Sequence, residues 1–190
     1  MGVLRIVAGE RRGHRLRVPT GGHVRPTSER LREAVFSMLL SRLGGLAGVD
    51  VLDLFAGTGA LGLEALSRGA AHCTFVESHP GVGAVLRENI AGLQYADKAD
   101  VLAFSYERAL ALMVARGLCY DLLFIDPPYR MLTDVSGRLA PVLPRVLCNA
   151  GLAVIEGPRG AAPEVGVPVL FQRRYGDTLI TVVGREEATT

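Results

Sequence analysis

Val51-Leu52-Asp53-Leu54-Phe55-Ala56-Gly57-Thr58-Gly59-Ala60-Leu61-Gly62 is the stretch from which the fold is read. A short apolar run predicts a strand over Val51-Leu54, and G-x-G-x-x-G then opens a helix over about 60–68. Glu77 closes the next strand-like run, 20 residues after Gly57. That is the spacing of a dinucleotide-type site: the glycines permit a tight turn against a ligand, and the acid is placed to accept hydrogen bonds from ribose hydroxyls.

By itself this loop admits NAD and other adenosyl ligands, and Asp53 helps to separate them. A pyrophosphate at the glycine turn would be repelled by a carboxylate just before it. S-adenosylmethionine has no phosphate there and presents an ammonium and a sulfonium, both cations, so the local charge favours it. The other reading of Asp53 is a cap on the loop through backbone N–H groups.

Outward from the loop, strand-like and helical runs alternate. Strands are expected at Val51-Leu54, Cys73-Glu77, Asp100-Phe104, Tyr120-Ile125 and Leu152-Glu156, with helices at about 60–68, 80–92, 105–116 and 134–147. Alternation of this kind predicts an α/β fold with a mostly parallel sheet covered on both faces. Gly176-Asp177, between two apolar runs, signals an antiparallel hairpin at the end of the chain. Before the glycine loop, Pro26-Thr27-Ser28 supplies a helix N-cap, Leu31, Val35, Met38/Leu39 and Leu43 recur at helical spacing, and Gly44-Gly45 ends that helix. Arg5-Ile6-Val7-Ala8 and Arg15-Leu16-Arg17-Val18 read as a small hairpin that needs something to pack on.

The chain has 190 residues, 49% hydrophobic, with a net charge of +2. Such a composition excludes a disordered chain. No apolar run approaches the ~18 residues of a membrane span, and a soluble cytoplasmic protein is expected. Three cysteines without C-x-x-C spacing exclude a disulfide framework and a cysteine-rich metal site, and no metal site is expected. The net charge hides an asymmetry: residues 1–33 carry eight arginines against three glutamates, +5, which leaves −3 for the rest. One end is suited to meeting an anion.

Asp126-Pro127-Pro128-Tyr129 follows the apolar strand Tyr120-Ile125, at a strand's carboxyl end. Two prolines restrict the backbone and so fix the Asp126 side chain and the Asp126 and Pro127 carbonyls. Tyr129 offers a flat face. The set suits an exocyclic amine on a nucleobase, with two acceptors for its N–H groups and an aromatic ring to stack on. Such an amine is a poor nucleophile because its lone pair is delocalised into the ring. Acceptors that favour a pyramidal nitrogen would direct the lone pair at a methyl group, and positioning would supply most of the acceleration.

With these motifs in place, the chain resembles the RsmD family of S-adenosylmethionine-dependent 16S rRNA methyltransferases, which modify the N2 amine of a guanine. The resemblance runs through Arg5-Ile6-Val7-Ala8-Gly9, Arg12-Gly13, Val24-Arg25-Pro26-Thr27 to Arg30, Arg32-Glu33, Phe36, the glycine loop, Glu77 and the tetrapeptide. It implies a Rossmann-like class I methyltransferase fold of seven strands, mostly parallel, with an antiparallel C-terminal hairpin. It also implies a basic β-hairpin extension over 1–24 and a methyltransferase domain over 25–190, acting as a monomer on guanine 966 of 16S rRNA or of the assembling 30S subunit. Asp53, Phe55, Ala56, Gly57, Thr58, Gly59, Glu77 and Ser78 would hold the cofactor. Ser105 stands where relatives often have Asp or Asn near the adenine, leaving Phe104, Ser105 and Tyr106 as candidates there. Asp126, Pro127, Pro128 and Tyr129 would hold the guanine. Arg5, Arg11, Arg12, Arg15, Arg17, Arg25, Thr27 and Arg30 are the candidate RNA contacts, with Arg25, Thr27 and Arg30 foremost.

Three rivals share parts of this pattern. A DNA amino-methyltransferase, acting on adenine N6 or cytosine N4, has the same chemistry but normally a larger target-recognition region. A cytosine-C5 methyltransferase needs a nucleophilic cysteine beside the base, and Cys73, Cys119 and Cys148 are expected at two strand starts and a helix end. A non-catalytic RNA-binding assembly factor has no use for acceptors poised on an amine.

Overall fold

Leu31, Val35, Phe36 and Leu39 are buried along one side of α1 (Glu29–Leu43), the helical spacing expected of an amphipathic segment. Residues 4–19, 29–160 and 163–185 are described by the computed structural model, so the expected cap Pro26-Thr27-Ser28 lies outside the described residues. Two units divide the chain, Met1–Ser105 and Tyr106–Thr190.

In the first unit, β1 (Asp50–Asp53), β2 (His72–Val76) and β3 (Ala99–Leu102) pair in parallel in the order β3-β2-β1. Helices α2 (Ala60–Ser67) and α3 (Pro80–Gly92) connect them. Pro80 lies in the first turn of α3, where its missing N–H costs nothing, and His79 Nδ1 accepts from the Val82 N–H at 3.3 Å to cap it. Val51, Leu52, Phe75 and Leu63 are 0% exposed, as an apolar strand-and-helix layer requires.

The N-terminal segment is a short form of the expected hairpin: the chain reverses at Gly9–Gly13, Arg5 and Arg15 form an antiparallel bridge, and the Ile6 N–H donates to the His14 carbonyl at 2.9 Å, the Gly13 N–H to the Ile6 carbonyl at 2.9 Å and the Leu16 N–H to the Leu4 carbonyl at 2.8 Å. What anchors it is the packing of Leu4, Ile6 and Leu16, all buried, and a set of long-range hydrogen bonds. Glu64, fully buried on α2, accepts from the Val7 and Ala8 N–H groups at 2.7 and 2.9 Å. Ser67 donates to the Ala8 carbonyl and accepts from the Arg11 N–H. Asn89 of α3 brackets Arg17, accepting from its N–H at 2.7 Å and donating to its carbonyl at 3.1 Å.

In the second unit, α4 (Tyr106–Ala115) leads to β4 (Tyr120–Ile125), then α5 (Leu132–Leu139), α6 (Leu143–Val146), β5 (Leu147–Pro158), β6 (Val169–Tyr175) and β7 (Thr178–Gly184). β4 and β5 are parallel; β5 with β7 and β7 with β6 are antiparallel, in the order β4-β5-β7-β6. The hairpin signal at Gly176-Asp177 is the β6–β7 turn, with Gly176 at φ 61°. The single helix expected over 134–147 is instead two helices. Pro141 follows the end of α5 and Pro144 occupies the first turn of α6, so neither proline interrupts a continuous ladder. Cys148 accordingly lies in β5 rather than at a helix end. Seven strands occur among the described residues, and no helix among them is long and apolar enough to cross a membrane.

Candidate active site

β1 delivers Asp53 to the start of the glycine loop, and the loop is folded by its own backbone. The Ala56 N–H donates to the Val76 carbonyl at 3.0 Å, and the Gly59 N–H to the Ala56 carbonyl at 2.7 Å. Gly57 and Gly59 adopt φ of 55° and 85°, left-handed values that glycine takes without penalty. Gly62 is required for a different reason. A Cβ there would stand 2.3 Å from Phe75 Cε1 and 2.6 Å from Cys73 Sγ, so its absence lets α2 lie against β2.

Asp53 is buried, and its Oδ2 accepts from the Gly62 N–H at 3.0 Å, a brace from the end of β1 to the first turn of α2. This is the loop-capping role that the sequence leaves open. Burial pushes its pKa up to about 7, with the Gly62 N–H opposing and Glu77 adding to the rise. Glu77 is half-buried, and backbone donors aim its carboxylate: Oε2 accepts from the Gly57 N–H at 3.0 Å and Oε1 from the His79 N–H at 2.7 Å. Each oxygen keeps a further lone pair for a hydroxyl donor. Ala56 and Thr58 are buried, Phe55 and Phe104 half-buried, and Ser78 and Ser105 exposed. Asn89, which sequence reasoning missed, ties the loop to the N-terminal segment: its Nδ2 donates to the Thr58 carbonyl at 2.9 Å as well as to that of Arg17.

The structure sorts the basic end. Arg5 pairs with Glu29 through two 3.0 Å hydrogen bonds, and Arg17 with Glu88 at 2.8 Å. Arg11 donates to Gln94 and lies 5.7 Å from the Tyr95 ring centroid. Arg12, Arg15 and Arg30 are exposed, and among the described residues no side-chain partner engages them. Arg25 and Thr27 lie outside the described residues. Arg32 is buried and donates to the Arg5 carbonyl at 2.7 Å; burial lowers its pKa while Glu64 and Glu29 oppose that.

In the second unit, β4 carries the chain into Asp126-Pro127-Pro128-Tyr129, with Asp126 half-buried and Pro127 buried. Pro128 sits at φ −50°, ψ 129°, and its carbonyl accepts from the Met131 N–H at 2.7 Å, closing a single 3-10 turn over Tyr129–Met131. The Tyr129 hydroxyl lies 3.0 Å from Thr178 Oγ1 on β7 and donates to Glu156 Oε1 on β5 at 3.4 Å. Glu156 and Thr178 were not among the sequence candidates. Among the described residues, no cluster of three His, Cys, Asp or Glu side chains could hold a metal ion. Cys73 is fully buried and its thiol pushed well above the ordinary value, chiefly by burial, which leaves it inert as a nucleophile.

Residues 4–183 match a family described as conserved hypothetical protein 95. The ribosomal RNA small subunit methyltransferase D of Escherichia coli (strain K12) is 40% identical over 129 residues, which cover 68% of this chain and 62% of that protein. A solved hypothetical protein from Thermus thermophilus superposes with a TM-score of 0.83 at 33% identity, covering 96% of this chain and 99% of that one. A SAM-dependent methyltransferase structure from Agrobacterium tumefaciens, at 16% identity and a TM-score of 0.66, covers 82% of this chain and 63% of its own, and shares the fold.

Proposed function

The chain belongs to the conserved hypothetical protein 95 family, the RsmD family of rRNA methyltransferases, and from that premise we propose that it methylates the exocyclic N2 amine of a guanine in 16S rRNA, guanine 966. The activity is S-adenosylmethionine-dependent methyl transfer, on the same fold as the methyltransferase structures it resembles. The aligned part spans 62% of the Escherichia coli relative, so substrate and target position are carried by this proposal.

The residues of the glycine loop fit the cofactor. A Cβ on Gly57 would meet nothing within 4 Å, so the turn is open to a ligand, and Glu77 presents a carboxylate fixed by two backbone donors. The loop segment from Asp53 to Gly62 carries no basic side chain for a phosphate. Glu77 would take the ribose hydroxyls, and Asp53 would hold the turn while adding negative charge beside a cationic ligand. S-adenosylmethionine supplies an electrophilic methyl group on its sulfonium.

The observation that supports amine-directed chemistry is the braced tetrapeptide. Asp126 and the Pro127 carbonyl would accept the two N–H groups of the guanine amine and favour a pyramidal nitrogen with a localised lone pair. Tyr129, its hydroxyl tied to Thr178 and Glu156, would present its face to the base. Asp126 needs little basicity, because the nitrogen becomes acidic once methylated and its proton then leaves to the carboxylate or to water. No covalent enzyme intermediate is required. The test is Asp126→Ala: turnover should vanish while calorimetric binding of S-adenosylmethionine persists, and an active variant would overturn the amine-binding role.

A further inference from the structure

The arginines of the N-terminal end are not the whole basic surface. Tyr175 and Thr178 are directly paired across the β6–β7 ladder, so their side chains share one face. Arg173, two residues before Tyr175, points to the same face, and its guanidinium lies 5.5 Å from the Tyr175 ring centroid. Thr178 Oγ1 in turn lies 3.0 Å from the Tyr129 hydroxyl. A chain of contacts therefore runs from the tetrapeptide outward: Tyr129, Thr178, Tyr175, Arg173. Arg173 is exposed, whereas the nearby Glu156 is buried. Arg174 is exposed too, but strand alternation turns it to the opposite face, opposite Leu179.

We propose that Arg173, steadied by Tyr175, forms a second RNA contact that takes the phosphodiester backbone beside the target guanine. It rests on the function proposed above, because it is the position of Tyr129 that makes this the base-proximal side. The chemistry is sequence-independent: a guanidinium matched to phosphate oxygens, with an aromatic ring holding it in place.

Filter binding of radiolabelled 16S rRNA transcript and of purified 30S subunits, from 0.05 to 0.2 M salt, tests this. Arg173→Gln should weaken binding about fivefold at the lower salt and reduce the slope of log K against log salt by about one. Arg174→Gln, identical in charge change but on the other face, should stay within about twofold of the unaltered protein. S-adenosylmethionine binding and melting temperature should not move in either variant. Equal losses in Arg173→Gln and Arg174→Gln, no loss in Arg173→Gln, or no binding of either RNA by the unaltered protein would overturn the surface. If the methylated nucleoside proves not to be a guanosine while the Arg173 dependence persists, the function reading fails and the surface stands. Normal N2-methylguanosine formation with unchanged binding in Arg173→Gln has the opposite meaning.

Discussion

The Tyr129 hydroxyl stands 3.0 Å from Thr178 Oγ1, so the aromatic ring of the tetrapeptide is fixed by a strand 49 residues later in the chain. A ring held before the base arrives loses less conformational freedom on binding. Tyr129→Phe keeps the face and loses the anchor, and methylation at saturating S-adenosylmethionine should slow about three- to tenfold through lost positioning. Tyr129→Ala also removes the stacking face, worth ~1–3 kcal/mol per base, and should raise the KM for RNA by about ten- to a hundredfold. Cofactor affinity, measured by calorimetry, should be unchanged in both.

Gly62 and Gly57 should differ in how they fail. A methyl group on Gly62 meets Phe75 Cε1 at 2.3 Å and Cys73 Sγ at 2.6 Å, both on buried residues of β2. Overpacking of this kind costs ~1–3 kcal/mol, so Gly62→Ala should lower the melting temperature by several degrees. Gly57→Ala meets nothing within 4 Å and bears only the strain of φ 55°, so its melting temperature should fall less while cofactor affinity falls more.

Asp53 gives a pH dependence with a definite sign. Its folded-state pKa, about 7, lies above the ordinary 3.8, so the unfolded chain releases this proton first as pH rises. Its contribution to stability is therefore most favourable at low pH, declines between about pH 4 and 7, and is level above that. Denaturant titrations of Asp53→Asn should show a flatter pH profile across this window than the unaltered protein. The anion also attracts a cationic ligand, so S-adenosylmethionine binding should tighten as pH rises through 7, and less so in Asp53→Asn.

Glu64 holds the N-terminal segment to the first unit. Its carboxylate accepts two backbone N–H groups and pairs with Arg68 at 2.9 Å, entirely out of solvent. Removing one member of a buried ionic set costs ~3–5 kcal/mol, because the remaining charge stays uncompensated. Glu64→Ala should free the segment, seen as faster tryptic cleavage after Arg11 and Arg12. Glu29→Ala, which breaks the exposed pair with Arg5 and withdraws one of the two carboxylates that favour the charge on Arg32, should cost less than Glu64→Ala and leave the cleavage rate nearly unchanged.

Much of this was legible in the chain because it is local. The glycine loop, Glu77 and the helical spacing of Leu31, Val35 and Leu39 depend on neighbours within a turn or two, and each lies where its pattern indicated. The prolines at 141 and 144 were equally visible, yet the periodicity of 134–147 masked them, and the break between α5 and α6 was missed. What could not be read was long-range. The N-terminal hairpin is anchored by Glu64, Ser67 and Asn89, 56 to 72 residues away, which its own short pairing does not announce. Counting arginines gave the sign of the surface but not which of them Glu29, Glu88 and Gln94 engage. The anchor on Tyr129 and the stacked Arg173–Tyr175 pair likewise need the ladder register of β6 and β7.

The proposed mechanism stands or falls on the identity of the methylated atom. Incubation with methyl-labelled S-adenosylmethionine and unmethylated 16S rRNA or 30S subunits, followed by digestion and chromatography of the nucleosides, reads it directly. N2-methylguanosine should be the single labelled product, absent with Asp126→Ala. Label in N6-methyladenosine or 5-methylcytidine, or in duplex DNA in place of rRNA, would contradict it.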